Sequence, residues 1–324
     1  METQSQNLSG PASAWDDHWR KSSDESSFTG NADTHPVLVG AWASFFSKYS
    51  HHSDDLRFID IATGGGIVVR CAYDTFGDNM PSVSAVDISG HAIGQLTKRF
   101  PGVEGVVADA AAIPLSSCSF DLVTSQFGVE YAGISAVYEA ARLVSDGGQL
   151  ALILHCRPGG IYAECSSSLK AIDRLRQSKF IPLATDMFKA GFAAFKGADS
   201  HRYKRATHKF RAAYRVTEQL VSKYGPGVAS GMVARLRNDT EQVRQRLPSY
   251  DLNDVMTWLG QFNEELLAYR GRMKSMTEAA IDQPRLEGIA AKLSASGFSV
   301  TEMKPLIDET DLNQLAWWLV AQRN

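Results

Sequence analysis

Two apolar periods divide the chain. From Leu56 to His155, short apolar runs alternate with stretches of helical spacing. Phe58, Ile59 and Ile61 form one such run, as a strand buried on both faces of a parallel sheet does. It stops at Gly64-Gly65-Gly66, and a helical stretch follows from Ile67 to Phe76. The same reading predicts strands at 57–62, 82–87, 103–108, 120–125 and 148–155, with helices near 66–76, 90–100 and 134–145. Alternating β and α elements imply a parallel sheet covered on both faces, with right-handed crossovers. All five strands then present their carboxyl ends on one edge, where ligands bind in such folds.

The pattern changes on either side. Val37 to Tyr49 carries apolar residues at helical spacing (Val37, Leu38, Ala41, Phe45), predicting a helix against the sheet. After Cys156, residues 157–282 hold no clear strand and several helical stretches. Phe188, Phe192 and Phe195 recur at i, i+4, i+7, and one stripe runs from Val255 through Trp258, Phe262 and Tyr269 to Met273. Both are expected to be buried helix faces. A helix at 283–296, Gly297 as its cap, and strands at 298–305 and 315–321 close the chain, with Trp317 and Trp318 on opposite sheet faces. Residues 1–14 read as a disordered tail and 15–55 as an N-terminal helical arm, in which Trp15 and Trp19 share one face.

Composition narrows the classes. The 324 residues carry a net charge of −3, so the whole chain shows no polyanion-binding balance. No apolar run approaches the ~18 residues of a membrane span, and Met1 to Ser13 lacks an apolar signal core. The four cysteines form no CxxC pair, which speaks against a metal site and fits a reducing cytoplasm.

The glycine turn fits a dinucleotide fingerprint poorly, because Ala62 and Ile67 occupy its first and third glycine positions. Asp87 ends the second strand, 21 residues after Gly66, where a carboxylate can accept from both ribose hydroxyls. Three further stretches stand in order: Val106-Val107-Ala108-Asp109-Ala110 with Ile113-Pro114-Leu115, Ser119-Phe120-Asp121-Leu122-Val123, and Arg142-Leu143-Val144-Ser145-Asp146-Gly147-Gly148. Together these motifs resemble the class I S-adenosylmethionine-dependent methyltransferases of the small-molecule type, over residues 56–156 and more weakly 283–322. The resemblance implies a Rossmann-like α/β fold: a seven-stranded, mostly parallel sheet with helices on both faces, built from 56–156 and 283–324. Residues 157–282 would then be a large helical insertion serving as a substrate lid. It implies S-adenosyl-L-methionine as cofactor, with Asp60 and the backbone of Ala62, Thr63, Gly64 and Gly66 on the methionyl part. Asp87 would bind the ribose, Ile88 would lie against the adenine, and Asp109 with Ala110 would meet its amino group. Gln126 would run along the cofactor. Trp19 would either cover it or only dock the arm. Asp60 and Asp109 could instead cap a helix or turn. One departure is Ala62, whose small methyl group could shift the turn and weaken cofactor binding.

Methyl transfer from a sulfonium needs positioning first, and a base only when the acceptor must lose a proton. His155 and Tyr131 sit on the ligand edge as catalytic candidates, and His155 could equally be a satisfied, half-buried histidine. From Lys170 to Arg215 there are twelve Lys/Arg and three Asp/Glu, so Arg174, Arg202, Arg205 and Arg211 are candidates to bind an anionic acceptor. The alternatives are an RNA methyltransferase using this basic stretch, or a methyltransferase fold without turnover. The near-neutral whole and the lack of an RNA-binding module speak against nucleic acid, and the intact Asp60, Asp87 and Asp109 against the last. The partners expected are a small-molecule acceptor, no membrane, and a second copy in a homodimer.

Overall fold

The computed structural model describes residues 16, 19–20, 34–50, 56–310 and 312–324. The expected tail, Trp15 and most of the 15–55 arm lie outside the described residues. The chain divides into two compact units, one of Met1–Tyr162 with Glu278–Asn324 and the other of Ala163–Thr277.

In the first unit, helix α1 (Pro36–Ser47) precedes β1 (Arg57–Ile61), α2 (Ile67–Phe76), β2 (Ser82–Asp87), α3 (Gly90–Arg99) and β3 (Val103–Val107). Then come β4 (Phe120–Gln126), a 3₁₀ turn at Val129–Ala132, α4 (Ile134–Leu143) and β5 (Val144–His155). The seven-stranded sheet has the order β3-β2-β1-β4-β5-β7-β6. Strands β1 to β5 are parallel, while β7 (Gln314–Arg323) runs antiparallel to both β5 and β6 (Phe298–Ile307). This is the expected Rossmann-like, mostly parallel sheet, and its strand order reverses between β1 and β4, where such sheets place a ligand. Strand β5 begins earlier than the pattern predicts: Val144 already pairs with Phe120, and the pairing resumes at Leu122 with Gln149 after a bulge holding Gly147 and Gly148. Gly148 sits there because a Cβ would lie 2.9 Å from the Asp121 carbonyl oxygen.

Period-2 alternation decides which face each side chain joins. Ile59, Ile61, Val123, Leu150, Leu152 and Leu154 bury against α4 and α10 (Gln283–Ala295). Phe58 turns to the opposite face, where its ring meets Phe46 of α1 at 5.4 Å and Phe46 in turn meets Phe76 of α2 at 5.6 Å. Trp317 and Trp318 do separate across the sheet: Trp317 joins the α4/α10 side, and Trp318 packs edge-on against Trp42 of α1 at 5.1 Å.

The second unit is helical: the rest of α5 (Gly160–Gln177), α6 (Phe180–Phe195), α7 (Ser200–Tyr224), α8 (Met232–Gln245) and most of α9 (Leu252–Ala279). The α9 stripe is buried at Val255, Leu259, Phe262, Leu266, Tyr269 and Met273, with Trp258 half-buried. On α6, Phe188 and Phe192 are buried, but Phe195 is 64% exposed because the helix ends there. Among the described residues, no helix is long and apolar enough to cross a membrane.

Candidate active site

The carboxyl edge of the sheet is built from the ends of β1, β2, β4 and β5. Leaving β1, Ala62, Gly64 and Gly66 take φ values of 53°, 50° and 81°. This left-handed succession folds the chain back on itself, and three hydrogen bonds fix it. Thr63 N donates to Val86 O at 3.0 Å, Gly66 N to Thr63 O at 2.8 Å, and Gly64 N to Asp87 Oδ2 at 2.8 Å. Gly66 leaves no room for a side chain, since a Cβ would run into Leu96 of α3.

Ala62 is the costly member, because a non-glycine residue in this region is strained by about 1 kcal/mol or more. Its methyl group finds space only because residue 128, across the turn, is glycine: a Cβ at Gly128 would collide with Ala62 Cβ. The two positions are therefore sterically coupled. Gly128→Ala is expected to destabilise the protein by about 1–3 kcal/mol, the usual cost of overpacking. Ala62→Gly in the same chain should restore most of that loss, which thermal denaturation of the double-mutant cycle checks.

Two buried carboxylates face the turn. Asp60 is 1% exposed and accepts from Thr124 Oγ1 at 2.8 Å. Burial pushes its carboxyl up to about 7, against the pull of the Thr63 and Thr124 side chains, and the nearby Asp87 adds to the rise. Asp87 is likewise raised by burial, opposed by the amides of Ser89, Gly64 and Ile88. Its Oδ1 accepts from Ser89 N at 2.9 Å, so one carboxylate ties the glycine turn to the start of α3. Ser89 Oγ caps α3 through Ala92 N and donates to Asp16 at 2.7 Å. Trp19 is buried against Gly64, where a Cβ would lie 2.6 Å from its ring, and its carbonyl accepts from Gln95. The described part of the arm is thus docked on the turn.

The other expected contacts are less concentrated. Ile88 is half-buried and Ala110 buried. Asp109 is exposed and accepts from Ala111 N at 2.9 Å, closing its own turn. Gln126 is buried with Oε1 accepting from Trp42 Nε1 at 2.6 Å, so α1 fixes its side chain. Arg174 on α5 and Arg202, Arg205 and Arg211 on α7 are all exposed in the helical unit.

The ends of β4 and β5 hold a group that sequence reasoning only half found. His155 is 2% exposed, and Glu130 Oε1 accepts from its backbone N–H at 2.9 Å and lies 2.8 Å from its Nδ1. Phe127, with φ of 52°, lays its ring on the imidazole at 4.2 Å. Tyr131 meets it edge-on at 5.5 Å. A lone carboxylate in the apolar stretch after β4 was the available signal for Glu130.

The family model described as a methyltransferase domain matches residues 59–152, the stretch holding the turn, both buried carboxylates and Glu130. Residues 59–152 thus carry a methyltransferase domain, of the class I S-adenosylmethionine-dependent kind. It is 28% identical over 118 residues to a ubiquinone/menaquinone biosynthesis C-methyltransferase of Campylobacter jejuni, covering 34% of this chain and 50% of that one. To a malonyl-[acyl-carrier protein] O-methyltransferase of Enterobacter lignolyticus it is 30% identical over 124 residues, covering 38% and 43%. The chain thus spans half or less of the length of these relatives. Among solved structures, an S-adenosylmethionine-dependent methyltransferase of Mesorhizobium loti matches with a TM-score of 0.32 and 21% identity, over 38% of this chain and 55% of that one.

The residues of this methyltransferase core fit S-adenosylmethionine. That cofactor carries an ammonium and ribose hydroxyls, and the edge offers the buried carboxylate of Asp60 as a counter-charge and that of Asp87 as an acceptor. Both are held up by burial, which is the state that a bound cation relieves. Exposed Asp109 can accept from an exocyclic amine.

Proposed function

We propose that the protein transfers the methyl group of S-adenosylmethionine to a small-molecule acceptor bearing an anionic group, within the cytoplasm. The observation that carries this reading is the Asp60–glycine turn–Asp87 assembly at the strand-order reversal. In the proposal Asp60 takes the cofactor's ammonium, the turn from Ala62 to Gly66 lies along its methionyl part, and Asp87 accepts from the ribose hydroxyls. Ile88 and Ala110 flank the adenine beside Asp109, while Trp19 and Gln126 line the cofactor. Tyr131 and His155 then face the acceptor from the ends of β4 and β5.

This assignment has a pH consequence. Asp60 titrates at about 7 without ligand and must be ionised to pair with an ammonium. Binding therefore releases a proton below that pH. S-adenosylhomocysteine, which keeps the ammonium, should bind with constant affinity above pH 7 and weaken by up to about tenfold per unit below it. Calorimetry between pH 5.5 and 8.5 checks the slope, and a flat profile removes Asp60 from the ammonium.

The anionic handle is assigned to the arginines of the helical unit. On α7, the exposed Arg202, Arg205 and Arg211 form no ion pair among the described residues, and a planar guanidinium binds carboxylate or phosphate at two points. Replacing the binding arginine by alanine should lower kcat/KM by roughly tenfold or more, while S-adenosylhomocysteine affinity stays within twofold. The assay follows labelled methyl transfer from S-adenosylmethionine into the small-molecule fraction of a lysate of the source cells. Parent-like turnover by the Arg174, Arg202, Arg205 and Arg211 variants alike contradicts the assignment. An RNA acceptor draws on the same cations, but Phe210 is buried against Phe180 at 4.9 Å and Tyr203 is half-buried. These interleaved aromatics serve packing rather than base stacking, which favours the small anion.

A further inference from the structure

The reaction class leaves open whether the acceptor must be deprotonated, and the Glu130–His155 pair bears on that question. Glu130 arrives on the 3₁₀ turn Val129–Ala132, directly after Gly128, the residue that packs on Ala62 of the glycine turn. His155 is the last residue of β5, and its ring lies under Phe127, the neighbour of Gly128. Phe127 and Gly128 thus link the pair to the turn that would hold the methionyl part: Phe127 lies on the imidazole and Gly128 packs on Ala62. Both side chains are only 2% exposed.

A carboxylate buried this deeply is costly unless its partner is fixed and specific. Here one oxygen, Glu130 Oε1, receives two donors from the same residue, the His155 amide and Nδ1. With Glu130 ionised, its carboxylate can only accept, so Nδ1 is the protonated nitrogen. The ring lone pair is then on Nε2, and an imidazolium formed there is stabilised by the carboxylate on the other nitrogen. The ring cannot swing away, because Phe127 covers its face and Tyr131 its edge.

Resting on the methyltransferase reading, we infer that His155 is a general base oriented by Glu130, and that the acceptor is a hydroxyl or enol whose oxygen must lose a proton to be methylated. A thioether, a tertiary amine or a carboxylate needs no such base. The bound cofactor supplies a methyl group on a positive sulfur and leaves as a neutral thioether. His155 Nε2 takes the acceptor's O–H proton as an oxygen electron pair forms the new C–O bond, and the pair of the broken C–S bond stays on sulfur. One proton ends on the imidazole, next to Glu130, and passes to water on product release. His155 is the catalytic residue, and Glu130 is a positioning residue acting through it.

The test has two arms on the full chain. In the first, long-range ¹H–¹⁵N spectra of histidine-labelled protein, assigned with His155→Gln, read the tautomer. The inference requires Nδ1–H in the parent and loss of that preference in Glu130→Gln, which can still accept from the His155 amide and so keeps the local fold. Nε2–H in the parent overturns it. In the second, labelled methyl transfer into the small-molecule fraction of source-cell lysate is compared among variants. His155→Gln should lose roughly a hundredfold or more in rate, within the usual range for a general base, and Glu130→Gln a smaller factor. S-adenosylhomocysteine affinity should stay within twofold in both. Parent-like transfer by His155→Gln with cofactor affinity intact overturns the base and leaves the methyltransferase reading standing. No S-adenosylhomocysteine binding by the parent overturns both.

Discussion

Asp87→Ala should weaken S-adenosylhomocysteine binding by about 2–4 kcal/mol and also lower the stability of the unliganded protein by about 1–3 kcal/mol. The first loss is that of charge-assisted hydrogen bonds to the ribose. The second follows from the structure: Asp87 Oδ2 holds the Gly64 amide and Oδ1 the Ser89 amide, and the residue is 6% exposed. Alanine leaves both buried amides without their acceptor, so the turn and the start of α3 loosen together. Asp87→Asn keeps one acceptor and should lose less of both. Calorimetry and thermal denaturation on the same samples separate the effects. A variant with parent stability and weakened binding would make Asp87 a ligand group only, and the reverse pattern a structural one only.

Trp42→Ala is expected to cost about 3–5 kcal/mol of stability, as large-to-small changes of a buried aromatic do. Trp42 is fully buried, stacks on Phe46 at 5.8 Å and meets Trp318 edge-on, so it joins α1 to the late strand β7. Its Nε1 also holds Gln126 at 2.6 Å, at the end of β4. Trp42→Phe keeps most of the apolar contact and removes only the donor. It should therefore cost about 1–3 kcal/mol while releasing the Gln126 amide. If Trp42→Phe is neutral in stability and in cofactor affinity, the Trp42–Gln126 bond has no part in shaping the edge.

Much of the fold was legible because each βα unit announces itself locally. A short apolar run, a glycine or aspartate stop and a period-3.6 stretch recur from Phe58 to His155, and that alternation implies a parallel sheet. The carboxylates were legible for the same reason: a residue at a strand's carboxyl end has only one edge to face. What stayed hidden depends on partners distant in sequence. The room for Ala62 comes from Gly128, and the acceptor on the His155 ring comes from Glu130. Trp42 was missed because the α1 spacing pointed to Val37, Leu38, Ala41 and Phe45, whereas the buried set is Leu38, Trp42, Phe45 and Phe46. Phe195 fits the helical stripe but stands at the helix end, where no neighbour remains to cover it. The start of β5 was read too late because Gly147 and Gly148 look like a turn, and a bulge absorbs them inside the strand.

The most direct measurement is a calorimetric titration of the full chain with S-adenosylhomocysteine and, separately, with NAD. The edge described above predicts one site for S-adenosylhomocysteine, abolished or strongly weakened in Asp60→Ala and Asp87→Ala, and no heat with NAD, since the third glycine of a dinucleotide fingerprint is Ile67. Saturable NAD binding with no S-adenosylhomocysteine signal would contradict the account.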